Sequence, residues 1–312
     1  MQDRRSFFRN ALALSLCAQA NANGKTVEHL IPIPLGNRPV ATFDNGVFAV
    51  PEAQRTGVSF VDVQGRLLAE ITPRLASAGV VSIIHASVTP SRQLVLALNT
   101  KDSAGRISCG FTRAGFDGSA TQLFETYPFI VRRFCVLPDG PIFCLGRERT
   151  PTGEDVPGFH LIRIYSPDGK LLHKAFEIVG ARSHPKEHPM YWELAPGPGR
   201  VGVWGRRDHS YCELDLDAKL VRPAGQLGVG GPVSITGLAL LPNGDRLVST
   251  QPNNGSGSFG VFQISDAPGG GVTVRPRVEL QPEQGAVTAM GYHDGKLVMI
   301  GRPNDRIILV ET

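Results

Sequence analysis

Leu240-Leu241-Pro242-Asn243-Gly244-Asp245-Arg246-Leu247-Val248 reads as a strand, a tight turn and a second strand. A proline ahead of Asn-Gly fixes φ at the first turn position, and glycine accepts the positive φ that follows. Apolar and β-branched residues on both sides make this a hairpin rather than a generic loop. Cognates recur along the chain at intervals of roughly fifty residues. They are Phe43-Asp44-Asn45-Gly46-Val47-Phe48, Thr89-Pro90-Ser91-Arg92-Gln93-Leu94, Leu137-Pro138-Asp139-Gly140-Pro141-Ile142, Ala195-Pro196-Gly197-Pro198-Gly199-Arg200 and Tyr292-His293-Asp294-Gly295-Lys296-Leu297. With the first, that makes six copies.

A second hairpin alternates with them, at Phe60-Val61-Asp62-Val63-Gln64-Gly65-Arg66-Leu67-Leu68 and at Ile164-Tyr165-Ser166-Pro167-Asp168-Gly169-Lys170-Leu171-Leu172. Weaker copies turn at Asp117-Gly118, Asp217-Ala218 and Gly269-Gly270-Gly271, so there are five. After the sixth inner hairpin only Arg306-Ile307-Ile308-Leu309-Val310 remains as strand. The run from Val27 to Leu35 is extended and unclaimed, and its prolines suit an outer edge strand. Pairing residues 27–35 with 306–310 supplies the missing strand and closes a ring. The expected fold is therefore all-β, a six-bladed β-propeller closed by its N-terminal strand. A composition of 36 Gly and 24 Pro matches a chain dominated by turns.

Residues 1–22 read as a targeting segment and 23–312 as the propeller. Asp3-Arg4-Arg5-Ser6-Phe7-Phe8-Arg9 resembles the twin-arginine export consensus. A short apolar run to Ala18 follows, then two small-residue cleavage candidates, Ala18-Gln19-Ala20 and Ala20-Asn21-Ala22. Cys17 does not make a lipoprotein site, because Leu16 stands where a small residue is needed. The expected location is periplasmic or secreted, with no stable membrane insertion. The chain carries a formal net charge of +4 and no Lys/Arg run longer than a pair, which argues against nucleic acid as a partner. Cys109, Cys135, Cys144 and Cys212 match no zinc spacing. Cys135 and Cys144 flank one turn nearly symmetrically, which leaves two readings: a bridge across that hairpin, or two small apolar strand residues.

Propeller geometry gathers the long connections on one face and the tight turns on the other, and function is expected among the long loops. That face is cationic. Arg132, Arg133, Arg147, Arg149, Arg206, Arg207 and Arg302 fall in these connections with His85, His184, His188 and His209. Converging guanidinium groups suit a carboxylate or phosphate. Glu148, Glu154, Asp155, Glu187, Glu193, Asp208 and Asp305 lie in the same loops and offer a second reading, a solvated surface of ion pairs. His184-Pro185-Lys186-Glu187-His188 matches a zinc-peptidase signature only formally, since Pro189 disfavours the helix that chemistry needs. His85 begins an inner strand where side chains can enter the channel. Counted from the same turn, its counterparts are Arg133, Tyr191, Gly237 and Thr288. One His, one Arg and one Tyr can hold a polar ligand but do not make a metal site. Tyr191 and Trp192 either wall a pocket or fill space between blades. The candidate ligand-binding set is His85, Arg133, Arg147, His188, Tyr191, Arg207 and Arg302.

Ile235-Thr236-Gly237-Leu238-Ala239-Leu240-Leu241-Pro242-Asn243-Gly244 resembles the opening of an NHL-type repeat, and Gly295 to Ile307, with Asn304-Asp305-Arg306-Ile307, resembles its close. The resemblance implies a six-bladed propeller from a group that spans ligand-binding scaffolds, lactonases and lyases. The Glu, Asn and Asp metal trio of the lactonase branch finds no matching positions here. The amidating-lyase branch uses channel histidines from alternate blades; His85 and His188 stand about two blade lengths apart, and the third position is empty. The expected function is a propeller that binds a small polar or anionic ligand, or a protein partner, through its loop face, with no catalytic residues, metal or cofactor assigned. The alternative is a metal- or Arg/His-assisted lyase or hydrolase at the channel mouth.

Overall fold

The computed structural model describes residues 26–31, 41–73, 80–101, 105, 107–116, 120–137, 140–177, 192–206, 208–229, 233–253, 259–268, 271–280, 286–302 and 306–311. They form six antiparallel sheets of four strands each. Blade 1 comprises Thr42–Asp44, Val47–Pro51, Val58–Asp62 and Leu67–Ile71, counted outward from the channel. Blade 2 comprises Val80–Val88, Leu94–Lys101, Ile107–Ala114 and Ala120–Glu125, and blade 3 Phe129–Val136, Ile142–Glu148, His160–Tyr165 and Leu171–Glu177. Blade 4 comprises Trp192–Gly197, Arg200–Gly205, Ser210–Asp215 and Leu220–Gln226, and blade 5 Val233–Leu240, Arg246–Pro252, Phe259–Asp266 and Val272–Leu280. Blade 6 takes Ala286–His293, Lys296–Arg302 and Arg306–Glu311 from the C-terminal end and Thr26–Leu30 from the N-terminal one. Thr26 opposes Val310 and Leu30 opposes Arg306, so the ring closes as the extended run implies. The closing strand ends at Leu30, and residues 32–35 of the expected strand lie outside the described residues.

Burial follows from face-to-face packing of the blades. Val47–Pro51 and Val58–Asp62 are buried at every position, because both faces of a middle strand meet a neighbouring sheet. The outermost strand Leu171–Glu177 is nowhere fully buried. The apolar core is correspondingly divided into six clusters, each shared by two adjacent blades. Phe48 is fully buried between blades 6 and 1, where truncation to alanine would cost about 3–5 kcal/mol. Trp192 packs in the cluster between blades 3 and 4, which settles it as interblade filling rather than pocket wall.

The recurrent turn is a four-residue unit. Leu241 N–H donates to the Asp245 carbonyl at 2.9 Å, Gly244 N–H donates to the Leu241 carbonyl at 3.1 Å, and Gly244 takes φ +95°. Glycine is favoured there because a Cβ is strained at positive φ. The cysteine alternatives resolve as well. Cys144 pairs with Phe134, and Cys135 pairs with Phe143, so the two thiols point to opposite faces of blade 3. Cys109, Cys135, Cys144 and Cys212 are all free and buried.

Blades 4 and 5 share a buried charge cluster. Glu213 accepts Arg222 Nε at 2.9 Å and Tyr211 Oη at 2.8 Å, and forms ion pairs with Arg200 Nε at 2.9 Å and Arg246 Nη1 at 3.6 Å. Arg246 is 1% exposed and also donates to Asp266 at 2.7 Å. Its carboxylates are supplied from within the cluster, which is what a structural clamp requires.

Candidate functional site at the channel mouth

The inner strands reach the loop face irregularly. Blades 2, 3, 5 and 6 each slip register by one residue in that half of the strand, leaving Ile84, Arg132, Thr236 and Thr288 unpaired. A bulge turns neighbouring side chains toward the same side and bends the strand. In blade 3 it sets Arg132 and Arg133 side by side at the mouth. Thr288 therefore matches Arg132, not His85 as counting from the turn suggests.

Two loop arginines are fixed by bonds between blades. Ile83 N–H, just before the bulge of blade 2, donates to the Arg55 carbonyl of blade 1 at 2.7 Å. Ile235 N–H, just before the bulge of blade 5, donates to the Arg206 carbonyl of blade 4 at 2.9 Å. Arg55 and Arg206 are thus equivalent positions.

A cavity of about 80 Å³ lies beneath, lined among others by His85, Arg133, Glu193, Trp204 and Arg206. Arg133 grips Glu193 in a fork, Nε to Oε2 at 2.5 Å and Nη2 to Oε1 at 3.0 Å. Arg206 Nε donates to the same Oε1 at 3.0 Å. Burial opposes charge on Glu193, but Arg133 and Arg206 overcome it and hold the carboxyl below its usual range. His85 Nδ1 accepts Phe134 N–H at 3.4 Å, and its ring meets Phe134 edge-on at 5.1 Å. That bond leaves Nε2 as the protonated nitrogen of the neutral ring. Burial, reinforced by Arg133, pushes the imidazole down to about 3. His85 is a neutral donor, not a cation.

Outside this floor the charge is unbalanced. Arg147 and Arg149 share one carboxylate, Asp155, at 3.3 and 3.4 Å. Glu148 is taken by Arg163. Arg132 forms no ion pair among the described residues. Burial and then Arg147, Arg149, Arg133 and Arg55 push its guanidinium down to about 10. Arg55 is lowered too, by burial and by Arg133. Among the described residues the Nε atoms of Arg132 and Arg147 and Nε1 of Trp204 are buried donors with no acceptor. Among the described residues no three His, Cys, Asp or Glu side chains converge as a metal site would require.

Of the expected set, His85 and Arg133 adjoin at the cavity, and Arg147 lies one step outward, linked to them through Arg132. Arg133 and Arg147 stand within strands rather than in loops. Arg302 ends a strand of blade 6, and its side chain is not among the described ones; His188, Tyr191 and Arg207 lie outside the described residues. The reading of loop acids as pairing partners holds for Glu193 and Asp155. Sequence spacing misses Arg55 and does not set Arg132 apart from the other cations. A bulge that brings a strand arginine to the mouth leaves no mark in turn spacing.

No protein-family model matches the chain, and no curated protein matches it in sequence. Solved structures resemble it in fold. A gluconolactonase from Xanthomonas campestris is 15% identical over 89% of this chain and 88% of its own, with a TM-score of 0.51. The soluble aldose sugar dehydrogenase of Escherichia coli is 13% identical over 92% and 99%, with a TM-score of 0.52. A streptogramin B lyase is 10% identical over 94% and 99%, with a TM-score of 0.50. At these identities the likeness shows the fold alone. The class is a six-bladed β-propeller, and its structural neighbours include a lactonase, a lyase and a sugar dehydrogenase.

Proposed function

We propose that this chain is an exported, NHL-like propeller that captures a small anionic ligand at its loop-face mouth. The observation that carries the reading is the charge imbalance around Arg132. Among the described residues, Arg55, Arg132, Arg133, Arg147, Arg149 and Arg206 meet two carboxylates in their ion pairs, Glu193 and Asp155. A protein gains no stability by crowding guanidinium groups until one is driven below its usual range. An anion accepting from Arg132 and Arg55 relieves that crowding, and the planar forks favour carboxylate or phosphate. The Arg133–Glu193–Arg206 set forms a rigid floor, and His85 Nε2–H adds a neutral donor. Equilibrium dialysis against labelled inorganic phosphate and citrate tests this. Capture should be lost in the Arg55→Gln/Arg132→Gln double variant, and equal capture by variant and wild type refutes the reading.

A lactonase- or lyase-like activity at the same mouth has one observation in its favour. Neutral His85 beside Arg133 resembles an electrophilic pair for a carbonyl, and two structural neighbours are named a gluconolactonase and a streptogramin B lyase. Turnover of gluconolactone by wild type, abolished in His85→Gln, would establish it over simple capture.

A further inference from the structure

The opposite end of the channel holds a larger cavity, of about 390 Å³, within the range of small-molecule pockets. Asn45, Pro90, Leu137, Pro196, Leu240 and Tyr292 line it, one from each blade. Among its described lining residues there is no lysine or arginine, and the ionisable ones besides Tyr292 are Asp44 and His293. The two ends of the channel therefore differ in chemistry. One is crowded with cations, the other is mostly apolar.

Its rim is held in place. Asn45 Nδ2 donates to the Val88 carbonyl at 2.5 Å, tying the first turn of blade 1 to blade 2. The His293 ring of blade 6 packs so closely on Gly46 that a Cβ there would meet its Nε2 at 2.6 Å. Phe43 lies on Gly291 more tightly still, at 1.9 Å from the position of a Cβ. These contacts make the chamber preformed rather than dependent on a ligand to open it. Asp44 lines both this chamber and the mouth cavity, so it stands on the partition between them.

We infer that this chamber is a second ligand site, taking a compact, uncharged, largely apolar molecule with a hydrogen-bond acceptor directed at the Asp44 carboxyl. An anion would find no lysine or arginine among the described lining residues. A cation would be stripped of water against a single carboxyl whose charged form burial disfavours. Burial pushes the Asp44 carboxyl up to about 7, with the Ser87 hydroxyl offsetting part of the effect. The other titratable groups facing it are the Cys135 thiol of blade 3, His293 of blade 6 and, across the partition, His85 of blade 2. Burial keeps the Cys135 thiol and the His85 ring uncharged at neutral pH, so neither draws the proton from Asp44 below that carboxyl's own titration. The apolar wall from Leu240, Met290, Leu137 and Val136 accepts a ring or short chain.

The test uses prodan, a neutral naphthyl ketone whose emission shifts to the blue in apolar surroundings, with wild type labelled at its methionine methyl carbons. Saturable binding should move the Met290 resonance and leave Met299, fully buried between blades 5 and 6, where it was. Binding should weaken about tenfold between pH 6 and pH 8.5, as the donor is lost. Leu240→Trp, which fills the chamber, should abolish the blue shift while phosphate capture at the mouth persists. An unmoved Met290 resonance overturns the inference, as does prodan binding that survives Leu240→Trp or strengthens with pH. If Leu240→Trp does not fold, the pH dependence in wild type decides it, because Met290 borders the mouth cavity as well.

Discussion

Glu193 of blade 4 accepts both Nε and Nη2 of Arg133 of blade 3, so two blades meet at the mouth through one forked ion pair. The Arg133 and Glu193 side chains are only 24% and 11% exposed, so removing one partner leaves a charge buried. Glu193→Gln should lower stability by about 3–5 kcal/mol in urea denaturation. The same substitution should raise phosphate affinity, since it leaves Arg133 and Arg206 without their carboxylate. A variant as stable as wild type would show the pair to be incidental.

The two arginine clusters should respond in opposite directions. Arg246→Met breaks a clamp whose carboxylates are Glu213 and Asp266, and should lower the melting temperature sharply. Arg132→Gln relieves repulsion from Arg147, Arg149, Arg133 and Arg55, and should raise it. Thermal unfolding without added anions distinguishes them; a fall in both variants would mean that Arg132 serves structure.

Asp155 occupies Arg147 and Arg149 at long range and is partly exposed. Replacing it with Asn frees both guanidinium groups for a ligand. Phosphate affinity should rise by about fivefold, the worth of one partly screened ion pair near 1 kcal/mol. The gain should shrink in high salt, because the mouth is open to solvent. Weaker binding in Asp155→Asn would place the ligand elsewhere.

Asp44 and His85 give stability opposite pH slopes. Asp44 titrates at about 7 in the fold against 3.8 ordinarily, so its contribution is complete below the lower value and is lost as pH rises through the upper one. His85 titrates at about 3 against 6.5, so its contribution is complete above the upper value and is lost as pH falls toward the lower one. Asp44→Asn should therefore stabilise the protein at pH 8, by at most about 4 kcal/mol at roughly 1.4 per pKa unit, and far less at pH 4. His85→Gln should flatten the acid limb only. Denaturation at several pH values reads both slopes.

Deleting residues through Ile31 removes the fourth strand of blade 6 and bares the edge of its neighbour, Arg306–Glu311. The Glu28–Arg306 ion pair is exposed enough to matter little by itself. Loss of the ladder should lower the melting temperature and promote association through the open edge. A truncated chain that stays monomeric and equally stable would show that closure adds nothing.

The ring was legible because hairpin chemistry is local. Pro242-Asn243-Gly244 and Asp294-Gly295 state their turns in adjacent residues, and counting strands between them exposes the orphan that closes blade 6. The mouth was legible only in part. His85 and Arg133 follow from their distance to a turn, whereas Arg55 and Arg206 are placed by bonds to the next blade, and Arg132 by a bulge. Asp44 sits beside the Asn45-Gly46 turn and reads as turn chemistry, and only packing around the channel reveals its burial. Contacts between blades join residues far apart in the chain, and spacing within one repeat does not encode them.

The central claim is that uncompensated arginines at the mouth form an anion site. Calorimetric titration of citrate into wild type and into Arg132→Gln at low and high ionic strength measures it directly. The account predicts one site per chain, weakened by salt and lost or severely weakened in the variant. Identical titrations for the two proteins, or no heat at low salt, would contradict it.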